Sequence, residues 1–196
     1  MRNLTLANQL TILRILIVPL FVILVVYGML GAALVSFMVA GLTDALDGLI
    51  ARRAGQRTSL GAWLDPMADK LLLVATFIVL TIPTIPLTNH LPAWLTILVI
   101  SRDIVIVVVV AIVNLAVGPR TFTPSLLGKL TTATFILTSV VVMFYNYRHE
   151  QSVVVTAGIW LSLALTLVSS ADYMFRMRRL IGDPQAGGQG PVSSRP

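Results

Sequence analysis

Ile104-Val-Ile-Val-Val-Val-Val-Ala-Ile-Val113 is the stretch on which the fold turns. Taken alone, an apolar run this rich in β-branched side chains reads as the buried strand of a soluble protein. Its surroundings overrule that reading. It is the middle of a longer run from about Leu91 to Val117, and five comparable runs accompany it: about Gln9 to Leu30, Gly31 to Ala51, Pro66 to Ile82, Leu130 to Tyr145 and Val153 to Arg176. Each comes close to the ~20 residues a helix needs to cross a bilayer. The runs are too long and too uniformly apolar for the alternating strands of a membrane barrel, and a bilayer requires backbone groups to pair internally. The sequence therefore predicts an all-α integral membrane protein with six transmembrane helices.

Composition excludes the competing classes. Of the 196 residues 57% are apolar and only 11% are charged, against about 25% charged in soluble domains. A disulfide-stapled secreted fold is excluded by the lack of cysteine. The basic excess, 14 Lys and Arg against 8 Asp and Glu, flanks apolar runs and forms no stripe, so no nucleic-acid partner is expected. The first apolar run lacks a cleavage pattern and is expected to be retained.

Topology follows from where the cations fall. With the N-terminus inside, the inner tails and loops hold Arg2, Arg52, Arg53, Arg57, Arg120, Lys129, Arg176, Arg178, Arg179 and Arg195, and the outer loops hold only Arg148. Both termini are thus expected in the cytoplasm. Residues 1–182 form the membrane domain, and the Gly-, Pro-, Gln- and Ser-rich tail 183–196 is expected to be disordered.

Charge inside membrane helices is costly and by default marks function. Asp44-Ala-Leu-Asp47-Gly48-Leu-Ile-Ala51-Arg52 is followed, after eight residues, by Gly61-Ala-Trp-Leu-Asp65-Pro-Met-Ala-Asp69. Helical spacing puts Asp44 and Asp47 on one face and Asp65 and Asp69 on another, and the short loop between the two helices makes them antiparallel neighbours. Four carboxylates in a small, partly dehydrated space keep their charge only when cations neutralise them. An all-oxygen donor set without His or Cys suits Mg²⁺ or Mn²⁺, and two ions sharing carboxylates serve phosphoryl chemistry. Gly48 and Gly61 let phosphates approach the backbone, and Arg52 adds a charge-assisted contact. A cation transporter is the alternative from another class, although it has no need of those two glycines and that arginine at fixed spacing.

Asp44, Asp47, Gly48, Ala51, Arg52, Gly61, Asp65 and Asp69 fall at every defined position of a 26-residue signature, and on them the chain resembles the CDP-alcohol phosphatidyltransferase family. Asn8, Leu10, Thr11 and Arg14 resemble its amino-terminal Pro-Asn-x-Leu-Thr-x-x-Arg element, with Ala7 in place of the proline. The resemblance implies transfer of a phosphatidyl group from CDP-diacylglycerol to an alcohol, with release of CMP. It implies metal binding by Asp44, Asp47, Asp65 and Asp69, with Asp69 also the catalytic general base. Asn8, Thr11, Gly48, Arg52 and Gly61 would bind the nucleotide. A homodimer is a further implication, as is an active site facing the cytoplasm. The expected location is the bacterial inner (cytoplasmic) membrane, where the two-tailed donor stays in the lipid while its head group reaches water.

The acceptor must be read outside the signature. Arg102 and Asp103 in the fourth span, Arg120 in the next loop and Lys129 at the entry of the fifth span form a candidate basic pocket for a phosphate-bearing alcohol. Asp103, about 100° from Arg102 on a helix, is expected to be a poor partner for it. Arg102-Asp103 and Gly128-Lys129 are similar to the glycerol 3-phosphate-using phosphatidylglycerophosphate synthases. Ser101-Arg102-Asp103, Gly41-Leu-Thr-Asp44 and Ala68-Asp69-Lys70 are similar to cardiolipin synthases of the eukaryotic type, whose acceptor is phosphatidylglycerol. The commoner bacterial activity favours glycerol 3-phosphate.

Overall fold

The structure, a computed structural model, describes the backbone of residues 6–54, 59–117 and 125–182, and the side chains of residues 12–43, 70–108 and 125–175. It consists of α1 (Leu6–Val26), α2 (Leu30–Ala54), α3 (Ser59–Thr81), α4 (Ala93–Val117), α5 (Leu126–Tyr147) and α6 (Val153–Gly182). The β-branched run 104–113 lies wholly inside α4, so its setting does override its strand propensity.

The helices close a ring. α1 packs on α2 and α3, α2 on α5, α5 on α6, α6 on α4, and α4 back on α3, while α3 also touches α5 across the ring. That crossing is where Phe77 meets Phe135 edge-on, with ring centroids 5.5 Å apart. Small polar side chains hold the α5–α6 seam. Thr138 Oγ1 lies 3.1 Å from Ser162 Oγ, and Thr131 Oγ1 donates to the Leu165 carbonyl at 3.2 Å. Such bonds average only about 0.6 kcal/mol between membrane helices, so close packing of small residues carries most of the association.

Polarity runs the opposite way from a water-soluble bundle. Arg14, Arg102, Asn146, Ser162 and Ser169 are buried, while Ile97, Val107, Leu137 and Val153 are 63–84% exposed. An outer surface of this kind suits lipid. Among the described residues two helical stretches, Leu126–Tyr147 and Val153–Phe175, are long and apolar enough to cross a membrane; Ile12–Val26, Leu30–Thr43 and Lys70–Thr81 are shorter apolar stretches.

Connections 27–29, 82–92 and 148–152 meet at one end of the bundle. Gly28, with φ of 73°, ends α1: its N–H donates to the Val25 carbonyl at 3.0 Å and that of Met29 to the Leu24 carbonyl at 2.8 Å. This is the Schellman closure, in which the left-handed position favours glycine. α5 closes in the same way, but with His149 at φ 54°; its N–H donates to the Asn146 carbonyl and that of Glu150 to the Tyr145 carbonyl, both at 3.1 Å. The fully buried Asn146 amide then pairs with the backbone of the long connection: Oδ1 accepts from the Asn89 N–H at 2.7 Å and Nδ2 donates to the Asn89 carbonyl at 2.9 Å. Loop 82–92 is thereby latched to the end of α5.

Helix starts differ from the hydropathy reading where polar residues begin a helix. α3 starts at Ser59, not Pro66, so its first turns include the motif residues that hydropathy left out. α5 starts at Leu126, not Leu130, because Ser125 caps it: its Oγ accepts from the Gly128 N–H at 3.0 Å. α4 starts at Ala93, after Pro92, whose carbonyl accepts from the Leu95 N–H at 3.0 Å.

Candidate active site

The end of the bundle opposite the three connections gathers the motif. Asp44, Asp47, Gly48 and Arg52 lie on the last turns of α2, and Gly61, Asp65 and Asp69 on the first turns of α3. Both segments have helical backbone, so the spacings of three and four retain their same-face register. The side chains at these seven positions, and at Asn8 and Thr11 of α1, lie outside the described set. So do all atoms of Arg120 and of the tail 183–196. Among the described residues no three His, Cys, Asp or Glu side chains converge. The expectation that α2 and α3 are direct neighbours is corrected: among the described residues both pack on α1, which brings the amino-terminal element and the two acidic segments into one group of helices. Arg14, three residues beyond Thr11, is one of the largest fully buried side chains and is engaged by its surroundings.

Lys70 fixes the level of the acidic segment of α3 against α4. Its ammonium forms an ion pair with the Asp103 carboxylate, and Asp69 precedes it by one residue. A helix rises 1.5 Å per residue, so Asp69 stands at the level of the α4 charges and Asp65 one turn farther toward the end. Asp103 also faces Arg102, whose Nη1 is 3.6 Å from Oδ1. The expectation that Asp103 is a poor partner for Arg102 is thus corrected. The arginine side chain is long enough to reach ion-pair distance across the angular gap, and the other carboxylate oxygen pairs with Lys70.

Arg102 is held from three sides. Its Nη2 donates to Ser169 Oγ of α6 at 2.9 Å, Asp103 lies beside it on α4, and its guanidinium carbon sits 6.0 Å from the Phe135 ring centroid of α5. Its side chain is only 7% exposed, and its Nε has no hydrogen-bond partner. Two cations, the half-exposed Lys70 and the buried Arg102, therefore share the Asp103 carboxylate. Buried charge is retained only where an opposite charge answers it.

Lys129 is exposed in the first turn of α5. Its neighbour Gly128 permits a close helix contact, since a Cβ there would lie 3.2 Å from the Tyr173 hydroxyl. Tyr173 is one turn beyond Ser169 on α6, so one face of α6 brings the start of α5 and Arg102 to the same end. Sequence reasoning assigned no role to Lys70, Ser169 or Arg14. A lysine directly after a motif aspartate, with an aspartate inside a span that needs a cation, was the available signal for the first; a serine in an apolar helix gives none.

The family model for CDP-alcohol phosphatidyltransferases matches residues 4–168. The chain belongs to that family and is a phosphatidyltransferase of phospholipid biosynthesis. Among its relatives is a probable phosphatidylglycerophosphate synthase of Mycobacterium tuberculosis, 34% identical over 188 residues that cover 90% of this chain and 83% of that protein. A second is the CDP-diacylglycerol–glycerol-3-phosphate 3-phosphatidyltransferase of Bacillus subtilis, 29% identical and covering 86% and 92%. The CMP-forming cardiolipin synthase of Homo sapiens is 32% identical over 85% of this chain and 59% of its own length. The cation-transporter alternative falls away with this membership.

Proposed function

We propose that the protein transfers the phosphatidyl group of CDP-diacylglycerol to glycerol 3-phosphate in a metal-dependent reaction, giving phosphatidylglycerophosphate and CMP. The observation that carries this reading is the Lys70–Asp103 ion pair, which sets Asp69 of the motif at the level of Arg102. A reacting acceptor needs a base at its hydroxyl and a cation at its phosphate, a few ångströms apart.

The acceptor hydroxyl oxygen attacks the phosphorus that carries the diacylglycerol. A new P–O bond forms, the P–O bond to CMP breaks, and the hydroxyl proton passes to Asp69. Arg102, with Arg120 and Lys129, binds the acceptor phosphate, and Asn8, Thr11, Gly48, Arg52 and Gly61 bind the nucleotide head. Four carboxylates without nitrogen or sulfur donors fit two Mg²⁺ or Mn²⁺ ions held by Asp44, Asp47, Asp65 and Asp69. Such ions would supply stabilisation of the negative charge that develops as the acceptor oxygen attacks and CMP leaves.

In this reading all six helices cross the membrane with both termini in the cytoplasm, and the reacting end faces the cytoplasm of a bacterial inner membrane. Lys70, Arg102 and Lys129 then lie toward the inside and the Arg148 connection outside, in keeping with the distribution of cations. The enzyme acts as a homodimer embedded in membrane lipid. A second reading, cardiolipin synthesis with phosphatidylglycerol as acceptor, draws on the human relative. The test is purified protein with labelled CDP-diacylglycerol and, separately, glycerol 3-phosphate, phosphatidylglycerol, inositol phosphate or serine. CMP release with glycerol 3-phosphate alone supports the first reading; consumption of phosphatidylglycerol in its place establishes the second.

A further inference from the structure

The junction of α3, α4 and α6 contains more than Arg102. We propose that Asp103 and Ser169 are positioning residues for a phosphate-bearing acceptor, acting through Arg102, and that Lys70 makes Asp103 a tie between the helix of the catalytic base and the helix of the acceptor site. The proposal rests on the reading of Arg102 as the acceptor's phosphate contact.

An arginine side chain has many rotamers, and binding a tetrahedral anion is stronger when they are already restricted. Here Ser169 holds Nη2 at 2.9 Å, Asp103 stands 3.6 Å from Nη1, and the Phe135 ring lies 6.0 Å from the guanidinium carbon. Nε is left without a partner in a side chain more than nine-tenths buried. A structural arginine in so dry a site would be expected to have its donors satisfied. One with a donor in reserve, and with a second cation, Lys70, on the carboxylate beside it, is set up to receive an anion. The same carboxylate binds Lys70, the residue after Asp69, so one side chain shared by two helices ties the level of α3 to that of α4.

The experiment measures acceptor KM, donor KM and kcat for the wild type and for Asp103→Asn, Ser169→Ala and Arg102→Ala, using whichever of glycerol 3-phosphate and phosphatidylglycerol the wild type consumes. Asp103→Asn and Ser169→Ala are each expected to raise acceptor KM about tenfold, the scale of one hydrogen bond to a charged group, with donor KM unchanged. Asp103→Glu and Ser169→Thr should recover most of that loss. In the Arg102→Ala background neither substitution should add anything, because both act through Arg102. If Arg102→Ala leaves acceptor KM unchanged, the phosphate-contact reading fails. If Arg102→Ala raises acceptor KM while the other two substitutions leave it unchanged, add fully to the Arg102 loss, or weaken donor and acceptor alike, that reading survives and the positioning proposal is overturned.

Discussion

The two ends of the bundle use polar side chains in opposite ways. At the end closed by the connections, the Asn146 amide pairs with the Asn89 backbone, both Schellman closures satisfy helix carbonyls, and the exposed Arg148–Glu150 ion pair neutralises itself at 2.9 Å. Glu150 holds the Arg148 guanidinium, through a hydrogen bond and its charge, even further above its already high range. At the other end Lys70 and Arg102 share one carboxylate and a buried donor has no partner. Satisfied polarity fixes a shape; unsatisfied polarity waits for a ligand. Substitutions at one end should cost stability without chemistry, and at the other chemistry without stability.

The largest effect is expected at Asp69. Asp69→Asn keeps the shape and removes the proton acceptor, so turnover should fall at least ~10²-fold, while CDP-diacylglycerol binding weakens far less. Steady-state CMP release and equilibrium donor binding check this, and near-normal turnover would remove Asp69 from the base role. Next comes Arg102→Ala. It should lower kcat/KM for the acceptor by about 1.5–3 kcal/mol, the worth of a charge-assisted hydrogen bond, with donor KM nearly constant. Asp103 keeps Lys70 as a partner in this variant, so the fold should tolerate it.

At the connection end the pattern should reverse. Asn146→Ala strips the Asn89 N–H and carbonyl of their buried partner, and unfolding in detergent should show a loss of about 1–3 kcal/mol. Turnover per folded molecule should be unchanged; a selective loss of acceptor binding would break the division between the ends. The smallest effect belongs to His149. A non-glycine residue in the left-handed region costs about 1–2 kcal/mol, partly returned by the greater entropy glycine loses on folding. His149→Gly should therefore raise the unfolding midpoint modestly and leave kinetics alone.

Much of this contrast was legible in the sequence, and the part that was not has physical causes. The acids and glycines at 44–69 are readable because helical spacing and chemistry constrain them together. The start of α3 was missed by hydropathy because Gly61 and Asp65 dilute an apolar run without ending the helix. Asp103 was misjudged from a rigid angular argument that side-chain length defeats. Ser169 became visible only when the ring order brought α6 against α4, a long-range contact that no local pattern encodes.

The most direct test of the central claim is a metal titration of purified enzyme with labelled CDP-diacylglycerol and glycerol 3-phosphate. No CMP release is expected from a chelated preparation, with full recovery on adding Mg²⁺ or Mn²⁺. Undiminished release in the chelated preparation would contradict the claim.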